Sequence, residues 1–139
     1  MADRLVEIIE GEGWSNLIVV PVPLSRNKFL RRGYNQVDLI ASAIARKAAL
    51  PYKPTSLRRI KDTHSQVGLA PDARRENVRG AFQADAKLVR EKSLLLVDDL
   101  YTTGATLLYC AQALMDAGAV EVFALTVARA RHTNCSAKI

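Results

Sequence analysis

Cysteine, histidine and aromatic residues are scarce in this chain. Its 139 residues include two cysteines (Cys110 and Cys135), two histidines and only 6% aromatic residues. The cysteines form no CxxC pair, so the sequence predicts neither a zinc site nor a disulfide framework. A reducing compartment is the default for such a chain. The low aromatic content argues against an extended stacking platform for single-stranded nucleic acid.

Long apolar runs are also missing from the sequence. No run approaches the roughly 18 residues that indicate a membrane span, and the longest, Leu94–Val97 and Val120–Ala128, have the size of strands. The first ten residues are charged and lack the apolar centre of a signal peptide. We therefore expect a cytoplasmic protein with one folded domain over residues 1–139, of which 130–139 form a polar tail.

Positive charge is in excess, with 20 Lys and Arg against 14 Asp and Glu and a net charge of +6. This balance suits a polyanionic ligand. A sugar pyrophosphate and a nucleic acid both meet that description, and charge alone does not separate them.

The apolar pattern predicts alternating helices and strands. The predicted strands are Leu17–Val22, Thr55–Ile60, Ala81–Ala84, Leu94–Val97 and Val120–Ala128. Helices are predicted around Leu5–Ile9, Val37–Ala48 and Leu107–Met115, with Asn35 as a cap and Leu24–Gly33 as a basic loop. This order predicts an α/β domain with a largely parallel sheet flanked by helices.

The stretch LLLVDDLYTTGAT, residues 94–106, carries the strongest functional signal. Asp98 and Asp99 follow a buried strand, and then come the turn residues Thr102, Thr103, Gly104, Ala105 and Thr106 before a helix. Ligands of open α/β sheets bind at this end of the strands, and backbone N–H groups at a helix start suit a phosphate. Two carboxylates suit the vicinal hydroxyls of a ribose, so the stretch predicts a site for ribose 5-phosphate.

This stretch resembles the motif with which type I phosphoribosyltransferases bind phosphoribosyl pyrophosphate (PRPP). Tyr101 stands where those proteins usually have an aliphatic residue. Neither GxGxxG nor GxxxxGK[ST] occurs in the chain, which disfavours a dinucleotide dehydrogenase and an NTPase.

A second constellation combines VPVPLS, residues 20–25, with RRGYNQ, residues 31–36. Its turn predicts a pyrophosphate site made by Leu24, Ser25, Arg31 and Arg32. Further along come Thr63-x-x-Gln66-x-x-Leu69, Arg74-x-x-Asn77 and Gly80-Ala81-Phe82. In this order the motifs resemble the ComF-type phosphoribosyltransferase family, which is linked to bacterial competence and DNA uptake.

The ComF-type resemblance implies a type I phosphoribosyltransferase fold with a flexible loop, Arg58–Phe82, that covers PRPP; we call this segment the hood. Its polar candidates are Arg59, Lys61, Gln66, Arg74 and Asn77, of which Lys61 and Arg74 are the candidate catalytic residues. Many family members also carry a cysteine-rich zinc-binding segment at the N-terminus. These 139 residues contain none, so we expect either a short member or a fragment.

The implied reaction transfers a 5-phosphoribosyl group from PRPP to an unknown, nucleobase-like nitrogen acceptor. Asp98 and Asp99 would hold the ribose hydroxyls and stabilise positive charge on the ribose. The expected cofactor is Mg²⁺, held mainly by the ligand and with no direct protein ligand assigned. A PRPP or nucleotide sensor without chemistry is one alternative; a DNA-uptake accessory that binds single-stranded DNA is another. DNA-uptake proteins and a second copy of the chain are the other partners to consider.

Overall fold

A computed structural model describes residues 2–61, 70, 72 and 80–129. The helices are α1 (Ala2–Gly11), α2 (Arg26–Arg32), α3 (Gln36–Lys47), α4 (Ala86–Val89) and α5 (Ala105–Asp116). The strands are β1 (Ile18–Pro21), β2 (Leu57–Arg59), β3 (Phe82–Ala84), β4 (Ser93–Tyr101) and β5 (Glu121–Arg129). A 3₁₀ turn, Pro54–Ser56, precedes β2.

The main sheet is parallel, with the order β1-β4-β5. On the free side of β1, the backbone N–H of Val19 donates to the carbonyl of Pro51 at 2.8 Å, and that of Lys53 donates to Val19 at 3.0 Å. Strands β2 and β3 form a separate antiparallel ribbon. The predicted α/β class with a parallel sheet is therefore confirmed, with residues 51–53 as an added edge.

The chain reverses its direction of travel across the sheet between β1 and β4. From β1 it runs through α3 to the edge at residues 51–53, whereas from β4 it runs through α5 to β5 on the opposite side. Right-handed crossovers in opposite directions put α3 and α5 on opposite faces of the sheet. Such a reversal opens a crevice at the carboxyl ends of the two strands.

The two central strands form the centre of the core. Val19, Val20 and the run Leu94–Val97 are fully buried, as are Ile44 of α3 and Leu114 of α5. A strand covered by helices on both faces needs a continuous apolar run rather than an alternating one, and Leu94–Val97 is such a run.

The predicted basic loop Leu24–Gly33 is wrong, because it contains helix α2. The Ser25 side chain caps this helix by accepting a hydrogen bond from the Lys28 N–H at 3.3 Å. Gly33, with φ of +75°, ends it by donating its N–H to the Phe29 carbonyl. Helix α2 buries none of its residues, so its sequence has no apolar stripe from which periodicity could predict it.

Two further boundaries bear on the site. Strand β4 continues to Tyr101 because Asp98 pairs with Thr126 and Tyr101 with Arg129 of β5; the acidic pair therefore lies within the strand and not after it. Asn35 caps α3 as predicted, with Oδ1 accepting from the Val37 N–H at 3.1 Å. Among the described residues, no helix combines the length and apolar content that crossing a membrane requires.

Candidate functional site

A cavity of about 340 Å³ opens at the carboxyl ends of β1 and β4. It lies at the topological reversal, where an α/β sheet binds its ligands. Its lining residues come from five segments: Val22, Pro23, Leu24, Ser25, Lys28, Arg32, Asn35, Gln36, Val37, Arg59, Asp98, Asp99, Leu100, Thr102 and Thr106. The two constellations predicted from the sequence therefore border one cavity.

One wall of the cavity is basic and comes from α2. Lys28 and Arg32 are four residues apart, so they share a helix face, and both line the cavity, whereas Arg31 does not. Ser25, only 6% exposed, caps the helix that carries them. Of the four residues predicted for pyrophosphate, Leu24, Ser25 and Arg32 line the cavity. Lys28 was missed, although its spacing from Arg32 and the Ser25 cap give a signal once a helix is considered.

Asn35 ties the end of β1 to the start of α3. Its Nδ2 donates to the Val22 carbonyl at 3.3 Å while its Oδ1 caps the helix. The sequence predicted only the capping bond. The double attachment fixes the neighbouring Gln36 and Val37 at the cavity wall.

The acidic pair forms another wall of the cavity. Asp98 is only 8% exposed, and its Oδ1 accepts the backbone N–H of Asp99 at 2.8 Å. Burial raises the pKa of Asp98 to about 7, and the Asp99 charge adds to the rise, whereas the Asp99 N–H and the Lys28 ammonium oppose it. The carboxyl group of Asp98 therefore exchanges its proton near neutral pH.

The predicted phosphate turn lies at the start of α5. Thr102 and Thr106 line the cavity, whereas Oγ1 of Thr103 accepts the Ala105 N–H at 3.3 Å and stabilises the turn itself. Gly104, with φ of +80°, immediately precedes the helix. Thr102, Gly104 and Thr106 also line a small adjoining cavity of about 10 Å³, so the turn is concave toward the site.

Only part of the hood belongs to the described residues. Arg59 lines the cavity, its guanidinium lies 5.3 Å from the centre of the Phe82 ring, and its Nε donates to the Lys61 carbonyl at 3.3 Å. Lys61 is exposed and does not line the cavity. Arg74, Gln66 and Asn77 lie outside the described residues. Arg59 is therefore the hood cation that the structure brings to the site.

The donor set suits a cation that is shared with a ligand. Within the described residues, no three Cys, His, Asp or Glu side chains are grouped closely enough to hold a metal ion. Asp98 and Asp99 are the carboxylates at the cavity. Mg²⁺ commonly binds through one or two carboxylates together with substrate phosphates, so these residues fit it, and the Mg²⁺ expectation stays a prediction.

This fold is that of the type I phosphoribosyltransferases, with an acidic pair and a threonine-rich turn at the reversal of a parallel sheet. A solved glutamine PRPP amidotransferase from Bacillus subtilis has a TM-score of 0.60 and 20% identity, and the match covers 91% of this chain and 26% of that one. Adenine phosphoribosyltransferase from Saccharomyces cerevisiae has a TM-score of 0.58 and 13% identity, covering 93% and 64%. The predicted fold is confirmed.

Residues 3–135 match the model of the phosphoribosyl transferase domain, and the chain belongs to that family. Competence protein F of Haemophilus influenzae is 35% identical over 114 residues, which are 81% of this chain and 50% of that protein. Competence protein ComFC of Bacillus subtilis is 30% identical, covering 82% and 45%. DNA utilization protein YhgH of Escherichia coli K12 is 33% identical, covering 75% and 45%. The ComF-type resemblance is confirmed, and the chain spans about half the length of these relatives.

Proposed function

We propose that this domain binds PRPP in the cavity at the carboxyl ends of β1 and β4 and transfers its 5-phosphoribosyl group to a nitrogen acceptor. One observation carries the proposal: an acidic pair with Asp98 buried, a threonine turn and the cations Lys28 and Arg32 border a single cavity. PRPP presents two hydroxyls, a monophosphate and a pyrophosphate, and each has a chemically matched wall in this cavity.

In the proposed complex, Asp98 and Asp99 accept hydrogen bonds from the ribose hydroxyls. Thr102, Thr106 and the backbone N–H groups of the turn hold the 5-phosphate, while Lys28 and Arg32 hold the pyrophosphate. Asp98 and Asp99 would help the ligand's own oxygens to hold Mg²⁺, which would supply positive charge to neutralise the pyrophosphate. This arrangement orients the ribose between its two anionic ends.

The proposed transfer breaks the bond from ribose C1 to the pyrophosphate oxygen and forms a bond from C1 to the acceptor nitrogen. Pyrophosphate leaves with the electron pair of the broken bond, and the acceptor loses its N–H proton to solvent. Positive charge develops on the ribose during this exchange, where the carboxylates of Asp98 and Asp99 stabilise it. In this proposal the protein is cytoplasmic and the acceptor is nucleobase-like. No side chain is assigned as the general base.

Thermal unfolding tests the binding step. PRPP with Mg²⁺ at millimolar concentration should raise the Tm, because a ligand that binds only the folded state stabilises it. Asp98→Asn with Asp99→Asn should abolish most of that shift while leaving the fold intact. Asp116→Asn is the control, since Asp116 lies at the end of α5 and does not line the cavity. A wild-type Tm that does not respond to PRPP would reject the proposal.

Pyrophosphate release tests the chemical step. Wild-type protein incubated with PRPP, Mg²⁺ and a panel of nucleobases should release pyrophosphate only with its acceptor. If the protein binds PRPP but releases pyrophosphate with none of the nucleobases, a sensor is favoured over an enzyme.

A second candidate function is binding of single-stranded DNA, favoured by the surface around α2. Phe29 and Tyr34 are about half exposed there. Along the chain, two cations precede Phe29 and two lie between the rings: Arg26, Lys28, Arg31 and Arg32. Aromatic rings with interleaved cations bind single strands by stacking and phosphate contacts. Affinity for an oligo(dT) strand should fall with salt and with Phe29→Ala, whereas Leu39→Ala, an exposed apolar change on α3, should leave it unchanged.

A further inference from the structure

Tyr101 is held in place at the end of β4 by a cation from the neighbouring strand. It pairs with Arg129 of β5, and residues paired across parallel strands project from the same face of the sheet. The Arg129 guanidinium lies 5.4 Å from the centre of the Tyr101 ring, within the range of a cation–π contact. Arg129, which lies outside the phosphate turn, therefore stabilises the orientation of the Tyr101 ring.

The hydroxyl end of Tyr101 packs directly on Gly104. A Cβ built on Gly104 would lie 2.9 Å from Tyr101 Oη and 3.0 Å from Cε2, closer than carbon atoms in contact approach. Since Gly104 lies at the centre of the Thr102–Thr106 turn, the phenol reaches the part of the turn that would surround an anion.

The same side chain borders the small cavity inside that turn. Tyr101 lines it together with Thr102, Gly104 and Thr106. At about 10 Å³ the cavity is close to the space of one water molecule, so the phenol and the threonines that line it border the same small space. In the described part of the chain no hydrogen bond engages the Tyr101 hydroxyl, which leaves it available as a donor.

We propose that Tyr101 is a further phosphate-binding residue, whose hydroxyl donates a hydrogen bond to the 5-phosphate, and that Arg129 is the positioning residue that holds its ring. The inference rests on the proposed function, since it assigns a residue to the monophosphate end of that site. An aliphatic residue at this position packs on Gly104 but has no donor. The donor therefore adds affinity for the phosphate and adds nothing at the pyrophosphate wall, which Lys28 and Arg32 form.

Calorimetric titration of two separate probes, ribose 5-phosphate and pyrophosphate, tests the assignment. Tyr101→Phe keeps the ring on Gly104 and removes only the hydroxyl. A lost hydrogen bond to a charged group should weaken ribose 5-phosphate binding by about tenfold and leave pyrophosphate binding unchanged. Tyr109→Phe is the matched control, because Tyr109 is a partly buried tyrosine of α5 that lines neither cavity, and it should change neither affinity.

A double-mutant cycle tests the part of Arg129. If Arg129 acts by holding the ring, Arg129→Met should weaken ribose 5-phosphate binding in the wild type and change it little in the Tyr101→Phe background. Equal losses in both backgrounds would overturn its positioning role.

The failures of the two proposals differ. A wild-type protein that binds neither probe rejects the proposed function. Equal ribose 5-phosphate affinities of the wild type and Tyr101→Phe would reject the role of Tyr101 alone. A Tyr101→Phe protein that loses affinity equally for both probes would reject it too.

Discussion

A hydrogen bond joins the backbone of Asp99 to the side chain of Asp98. The Asp99 N–H donates to Oδ1 of Asp98 at 2.8 Å. The bond favours an ionised Asp98, yet burial outweighs it and raises the pKa of this carboxyl to about 7. The folded state therefore retains a proton on Asp98 at pH values where the unfolded chain has lost it.

This retained proton predicts a pH-dependent stability. Between about pH 4 and pH 7 the folded state binds more protons at Asp98 than the unfolded state does, so the contribution of Asp98 to the free energy of unfolding falls as pH rises. The slope reaches at most about 1.4 kcal/mol per pH unit. Asp98→Asn, whose amide oxygen still accepts the Asp99 N–H, should lack this dependence. Urea denaturation of both proteins from pH 4 to pH 8 measures the difference.

The sign of that difference is the informative result. The variant should gain stability relative to the wild type as pH rises, and the gain should level off above about pH 7. A wild type that becomes more stable than Asp98→Asn with rising pH would mean that the carboxylate is favoured in the folded state, contrary to its burial.

Arg32 and Arg31 make a matched pair for the basic wall. Both are exposed residues of α2, yet only Arg32 lines the cavity. Arg32→Gln should weaken pyrophosphate binding by about tenfold, the effect of one lost charge-assisted hydrogen bond. Arg31→Gln removes the same charge at the adjacent position and should have a much smaller effect. Equal losses measured by calorimetry would show that net charge and not cavity position governs binding.

The acidic pair and the turn could be predicted from the sequence because their chemistry is local. Leu94–Val97 is apolar without alternation, which only a strand covered on both faces requires, and Asp98 follows it directly. Position in the chain then places the carboxylates at the ligand-binding edge of the sheet. The separate basic constellation could be assigned to the same ligand only through the order of its motifs.

The elements that the sequence did not predict depend on contacts that are distant along the chain or on isolated caps. Helix α2 buries nothing, so its existence rests on Ser25 and Gly33, which a pattern search treats as loop residues. Arg59 is a polar candidate of the hood but not one of its two candidate catalytic residues; its approach to the cavity needs the pairing of β2 with β3, which brings together residues more than 20 positions apart. The extension of β4 likewise needs its partner β5.

Ser25 should matter more for binding than for global stability. Ser25→Ala removes the cap of α2, which costs about 1 kcal/mol in typical helices. Because α2 buries no residue, the helix can fray without exposing the core, and the loss in global stability should not exceed that value. Lys28 and Arg32 would lose their shared orientation, so calorimetry should find weaker pyrophosphate binding.

Ser42→Ala is the control for this change. Ser42 is a partly buried residue of α3 whose hydroxyl donates to the Leu39 carbonyl at 3.1 Å, and it does not line the cavity. Its substitution should leave pyrophosphate affinity unaltered. If Ser25→Ala kept the wild-type affinity for pyrophosphate, the cap would not be needed to orient Lys28 and Arg32.

Gly104 faces two separate constraints, and a substitution can measure each. Its φ of +80° disfavours any residue with a Cβ, and that Cβ would lie 2.9 Å from Oη and 3.0 Å from Cε2 of Tyr101. Gly13 has φ of +67° with nothing within 4 Å, so Gly13→Ala incurs only the backbone cost of about 1–2 kcal/mol. Gly104→Ala should destabilise the protein by more than Gly13→Ala in urea denaturation, and should weaken ribose 5-phosphate binding.

Adding Tyr101→Leu to Gly104→Ala shortens the clashing side chain and should recover part of the lost stability. If the double variant recovers none, the close contact is not what requires glycine at this turn, and the backbone conformation alone accounts for it.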